Sequence, residues 1–383
     1  MTAEPRAPRA YPRARTVFRA RGVPVRLDWS VLLIAALVGW VLAGLLADSP
    51  SLQGASTAVI GAAAAVGTVL FFASVLVHEL GHAWTSQERG LPVAGITLFL
   101  LGGLTEATAE AKRARDDFMI VAAGPFMSLT LAAAFGLAHE GLRATDLAAL
   151  VPAAVLAAYL GWANLALAVL NLVPAFPLDG GRLLRSVLWA LGAGTHRSTR
   201  LAARVGQAFA LGLGGVGIWA LTRDTGPGLG GIWELIIALF LFKGAADAAR
   251  SARLRERLAG RRVGEVMGAA PPPLSADLPL HDAAVALRQH PALLWPVDDP
   301  PSAAVRLADL EALDRRRWST TALAEVASDL AGQTASAEED LDDAVARMVD
   351  APAGMLLVLD ERGAARGLLT PSLVADVTER ARR

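Results

Sequence analysis

Six runs of about twenty apolar residues constrain this chain more than any other feature of its sequence. They are Trp29–Ala47, Ala58–Val77 (continuing to about Ser86), Phe118–Ala138, Leu147–Leu170, Leu201–Leu221 and Leu229–Ala246. A run of that length, coiled at about 1.5 Å per residue, matches the hydrocarbon thickness of a bilayer. Lipid offers the backbone no hydrogen-bond partners, so such runs must be helices. Trp29–Ala47 has the basic flank of a signal peptide, but further spans follow at once, so it is read as a first transmembrane helix. Leu201–Leu221 is the weakest of the six, because Arg204, Gln207 and several glycines interrupt it.

Composition supports this reading. Hydrophobic residues make up 54% of the 383 residues and charged residues 19%, with a mean hydropathy of +0.43; soluble domains carry about 25% charged residues. The formal net charge is zero, which excludes a strongly basic nucleic-acid binder. Cysteine is absent. That removes disulfides, thiol nucleophiles and Cys-ligated metals, leaving His, Asp and Glu as metal ligands.

Basic residues alternate between loops. Residues 1–28 hold seven Arg and read as a flexible basic arm, Asp48–Thr57 holds none, and Arg89, Lys112, Arg113 and Arg115 follow the second run. Only Arg143 lies in the third-to-fourth loop, whereas Arg182, Arg185, Arg197 and Arg200 lie in the next, and Lys243–Arg262 holds seven. The positive-inside rule then places both termini in the cytoplasm of a multi-pass cell-membrane protein. Beyond Ala249 a charged helical linker (250–262) leads to soluble α/β material. There Leu280-His281-Asp282-Ala283-Ala284-Val285 is echoed by Leu341-Asp342-Asp343-Ala344-Val345, so two tandem small α/β units are expected.

Chemistry concentrates at His78-Glu79-Leu80-Gly81-His82, at the end of the second run. Histidines at i and i+4 share one helical face, about 6 Å apart along the axis, and both rings can reach one metal. Glu79 beside them can accept a proton from an activated water. Such groups at membrane depth must face a polar cavity; otherwise they form a polar cluster packed on a neighbouring span. A catalytic zinc site takes three protein ligands and leaves a fourth position open. Asp179 is the best third ligand, in Asn171-Leu172-Val173-Pro174-Ala175-Phe176-Pro177-Leu178-Asp179-Gly180-Gly181-Arg182, where two prolines end the fourth helix and two glycines leave space beside the carboxylate. Asp179 could instead cap a helix beginning at Gly181. His139 and His196 are expected in exposed loops, and His281 and His290 in the soluble region lack metal-like spacing.

Together, His78–His82 and the Asn171–Gly181 motif resemble the site-2 protease family of intramembrane zinc metalloproteases, over about residues 25–250. The resemblance implies one catalytic zinc ion held by His78, His82 and Asp179, with Glu79 as general base. It implies that Asn171 steadies the substrate carbonyl. Leu98–Leu104 resembles the family's membrane-associated hairpin or strand, where Gly102 and Gly103 would either receive an extended substrate or serve only as a turn. Gly124-Pro125-Phe126-Met127-Ser128 resembles the family motif in the following span. Expected substrates are transmembrane proteins such as a membrane-anchored regulator, within membrane lipid. Residues 263–383 resemble a pair of cystathionine-β-synthase-type (CBS) modules. Val263-Gly264-Glu265-Val266-Met267 marks their entry, and Gly367-Leu368-Leu369-Thr370 the end of the second. Leu373 stands where that family's nucleotide pattern has an acidic or amide residue, which counts against ATP or AMP; homodimerisation or gating is an equal expectation. The expected architecture is therefore a polytopic α-helical membrane protein with a small cytoplasmic α/β CBS-like tandem. A CBS-regulated transporter or channel would leave both motifs unexplained, and a catalytically silent scaffold would have no use for an intact ligand set with Glu79.

Overall fold

The computed structural model describes residues 14–99, 102–107, 111–223, 231–290 and 293–380. The chain divides into two compact units, Met1–Ala252 and Arg253–Arg383.

The first unit corrects the expectation of an arm over residues 1–28. Residues 1–13 lie outside the described residues, but β1 (Arg15–Ala20) and β2 (Val23–Leu27) form an antiparallel hairpin. Its turn holds Arg21 and Gly22 at positive φ, the backbone that matches the twist of paired strands. β2 pairs in parallel with β3 (Val93–Phe99), and β3 pairs antiparallel with β4 (Gly102–Ala107), in the order β1-β2-β3-β4. The Arg- and Pro-rich composition hid a strand whose Val23 and Val25 are buried. Inside this sheet Arg26 is 2% exposed; its guanidinium reaches Glu106 Oε2 (3.5 Å), and the Thr97 hydroxyl donates to Glu106 Oε1 (3.1 Å). β4 is an edge strand.

The helices that follow are α1 (Ser30–Ala47), α2 (Thr57–Glu88), α3 (Ala114–Arg143), α4 (Val151–Asn171), α5 (Asp179–Leu188), α6 (Thr195–Thr222) and α7 (Ile232–Leu258). Among the described residues five helices are long and apolar enough to cross a membrane: α1, α2, α3, α4 with the turn before it, and α6. The sixth expected run begins within residues 224–230, outside the described residues, and its remainder lies in α7, which continues into the charged stretch to Leu258. Most side chains on these helices point outward, including Leu32, Trp40, Val69, Phe126, Trp162 and Leu239, as apolar lipid permits. Polar contacts join the helices at specific points: buried Asn164 on α4 donates to Ser74 Oγ on α2 (3.2 Å), the kind of bond that joins helices in lipid.

The second unit holds two α/β modules. β5 (Gly268–Ala269) precedes the first, which contains α8 (Leu280–Leu287), β6 (Trp295–Val297), β7 (Ala303–Val305) and α9 (Leu307–Glu311); β8 (Ser328–Asp329) and β9 (Thr334–Ser336) lead into the second, which contains α10 (Leu341–Asp350), β10 (Leu356–Leu359), β11 (Ala365–Leu369) and α11 (Pro371–Arg380). Two short-stranded sheets result, one of three strands and one of four. Leu280, Leu287 and Trp295 are buried in one core, Leu341, Leu356 and Val358 in the other. Leu294 and Ala304 pack with Leu357 and Leu368 where the modules meet. The tandem echo in sequence thus marks the two helices α8 and α10.

Candidate metal centre

α2 places His78 and His82 one turn apart, both buried. Each ring is aimed by a bond on its far nitrogen. His82 Nδ1 donates to the Ile120 carbonyl (2.9 Å) and His78 Nδ1 meets Ser128 Oγ (2.9 Å), both partners being on α3. A carbonyl only accepts, so the Nδ1 of His82 carries the proton and its Nε2 presents a lone pair. α3 makes room for this. A Cβ on Gly124 would overlap the Nε2 atoms of both histidines, so Gly124 and Ser128, at i and i+4, mirror the histidine pair across the helix interface.

Asp179 arrives from the far end of α4. Pro174 and Pro177 end that helix, and the chain turns so that Leu178, in extended conformation, precedes α5. Asp179 is therefore the first residue of α5 and does not cap it; its carboxylate turns to the histidines. Gly180 and Gly181 lie against the backbone of Leu172–Phe176, where any Cβ would collide. They make space for the returning chain, not for the carboxylate as sequence alone suggested. α5 is anchored by buried Asp117 on α3, which accepts from Arg185 (2.5 Å) and from the Ser186 hydroxyl. This clamp had no signal in the sequence beyond ordinary charged residues.

The result is a triangle of ligand atoms. His78 Nε2 to Asp179 Oδ2 is 3.1 Å, His82 Nε2 to Asp179 Oδ2 is 3.2 Å, and the two Nε2 atoms are 3.3 Å apart. With their lone pairs facing inward, three such atoms need a proton or a metal cation between them. A tetrahedral ion with bonds of about 2.0–2.1 Å spaces its ligands about 3.3 Å apart, so the donor set fits such a metal. Among the described residues no other group of His, Asp and Glu converges in this way.

Glu79, Asn171, Gly102 and Gly103 line the same cavity of about 440 Å³. Its other walls are apolar side chains of α1, α2 and α4, among them Ile34, Val38, Phe71, Phe72 and Leu167, with Arg182 and Thr105 as further polar members. Asn171, the last residue of α4, donates one Nδ2–H to Leu167 O (3.0 Å), leaving a second N–H. Gly102 and Gly103 begin β4 and pair with the end of β3; residues 100–101 lie outside the described residues. Gly102 has φ +128, a region that favours glycine, and a Cβ on Gly103 would overlap the Glu79 side chain. Neither His139 nor His196 joins the cluster: both lie on helices, not in loops, and His139 Nδ1 donates to Ala154 O (2.7 Å). His281 and His290 are exposed in the second unit.

Comparison with known proteins agrees with this geometry. The model for peptidase family M50 matches residues 66–142 and 142–213. Rip3 of Mycobacterium tuberculosis is 34% identical over 367 residues, covering 93% of this chain and 91% of that protein. Several curated relatives carry "zinc metalloprotease" in their names. Among solved structures, the site-2 protease from Methanocaldococcus jannaschii is 26% identical, over 62% of this chain and 95% of that one, with a TM-score of 0.41. The CBS-pair protein CBSX2 from Arabidopsis thaliana is 18% identical over 33% of this chain and 99% of that one, with a TM-score of 0.30. With a relative alike over nine-tenths of both chains, and with the His-Glu-x-x-His helix and Asp179 brought to one point, the chain belongs to peptidase family M50, the site-2 protease family.

Proposed function

We propose that the cavity hydrolyses peptide bonds within or beside the transmembrane segments of membrane-anchored proteins, using one zinc ion held by His78, His82 and Asp179. The observation that carries this is the 3.1–3.3 Å triangle of ligand atoms beside Glu79, inside a cavity walled by apolar helices. Zinc, when bound, supplies a Lewis acid that activates water near neutral pH and polarises a carbonyl. Glu79 takes the proton of the attacking water and delivers it to the leaving amine. The second Nδ2–H of Asn171 meets the carbonyl oxygen as charge develops there. A helix hides its amides in internal bonds, so the substrate unwinds first and adds as a strand to the free edge of β4 at Gly102 and Gly103. The apolar walls exclude bulk water from the reacting groups.

With α7 as the last helix the chain has six spans, and the bias of basic residues puts both termini in the cytoplasm. The second unit is then a cytoplasmic CBS-like tandem over residues 263–383, suited to homodimerisation more than to an adenine nucleotide. Leu373 packs on the apolar core at the position where a polar residue would hold the ligand.

Membranes from cells making the wild type are compared with membranes making His78→Ala/His82→Ala, and fragments of single-span proteins are identified by mass spectrometry. Cuts inside spans are expected in the wild type only. Identical fragments from correctly inserted proteins would sink the proposal. The bond that aims His78 provides a second check. Ser128→Ala should weaken zinc binding by about 10–100-fold, as loss of such outer partners does, measured by competition with a chelator.

A further inference from the structure

Glu79 is held from outside its own helix. The Thr105 hydroxyl on β4 lies 2.7 Å from Glu79 Oε2 and 3.2 Å from the Glu79 backbone carbonyl. A hydroxyl has one proton to donate, and the shorter, charge-assisted contact is the one to the carboxylate. Alternation along a strand puts Gly103 and Thr105 on the same face, and that face meets Glu79: Gly103 gives the side chain its room, Thr105 gives it a donor. Both residues, with Glu79, line the cavity.

We infer that Thr105 is a positioning residue for the general base: it ties Glu79 Oε2 to the edge strand and leaves Oε1 as the oxygen that exchanges the proton. Because Thr105 belongs to the strand whose free edge receives the substrate, the base is set by the same element that sets the scissile bond. This inference rests on the proposed role of Glu79. It adds a residue 26 positions away in the chain that neither sequence motif contains.

The test uses purified full-length protein in detergent and a single-span reporter built from a segment cut in the membrane comparison. Thr105→Val keeps the shape of the side chain and removes the donor. Its kcat should fall about tenfold to a hundredfold, the scale of misaligned catalytic groups, with KM within about twofold of wild type and zinc content unchanged. Thr105→Ser, which keeps the hydroxyl, should recover most of kcat. If Thr105→Val turns over like wild type while Glu79→Gln is dead, Thr105 does not position the base, and the role of Glu79 stands. If Thr105→Val and Thr105→Ser fail alike, or if KM rises instead of kcat falling, Thr105 serves strand packing or substrate pairing and the inference is overturned. If Glu79→Gln cuts the reporter normally, the underlying mechanism is wrong and Thr105 goes with it.

Discussion

Replacing Glu79 with Gln should reduce turnover by at least about 10²–10⁴-fold, the range that a well-placed general base contributes, while zinc stays bound at the wild-type level. The substitution is nearly isosteric and Glu79 is not one of the three ligand atoms in the triangle. The amide oxygen can still accept from Thr105, so the fold around β4 should persist. What disappears is the proton acceptor. Zinc content by atomic absorption, beside kcat on the single-span reporter, separates the two effects. Loss of zinc together with activity would make Glu79 a ligand and would require a different base.

Asp179→Ala should have the complementary result: zinc occupancy falls from about one ion per chain towards none, and activity falls with it. Loss of an outer-sphere partner already costs about 10–100-fold in affinity, so loss of a ligand should cost more. Without Oδ2, which lies 3.1 and 3.2 Å from the two imidazoles, only two donors remain. Folding need not fail, because α5 keeps its anchor through Arg185 and Ser186 on Asp117. Thermal unfolding measured with excess chelator should therefore resemble that of chelated wild type. Full zinc occupancy in Asp179→Ala would move the third ligand elsewhere in the cavity.

These two expectations were open to reasoning from sequence because their signals are local. The histidine pair needs only the helical repeat to share a face. Asp179 stands out because prolines at 174 and 177 and glycines at 180 and 181 bracket it. The same motif misled on detail: the glycines accommodate backbone, and a carboxylate that could have capped a helix instead begins one and turns to the metal site. The hairpin at Arg15–Leu27 was hidden for another reason. Its strands are short and Arg-rich, and β2 becomes a buried strand only by pairing with β3, which lies beyond two long helices in the chain.

The contacts that tune the site were not legible, although Ser128 lies in a motif that the resemblance had marked. Ser128 is 50 positions from His78, Thr105 is 26 from Glu79, and Asp117 is 68 from Arg185. A serine, a threonine and an aspartate at those spacings carry no periodicity. Their roles depend on how α3 packs on α2 and on α5, and on which face of β4 meets the catalytic helix. Membrane helices, two tandem α/β modules and the pairing of His78 with His82 on one helical face follow from the sequence alone, because apolar length and helical spacing act through neighbouring residues. Which nitrogen of His82 carries its proton, which oxygen of Glu79 is tied and what holds Asp179 in place were decided by tertiary structure, because each depends on a partner brought close only when distant helices and strands pack.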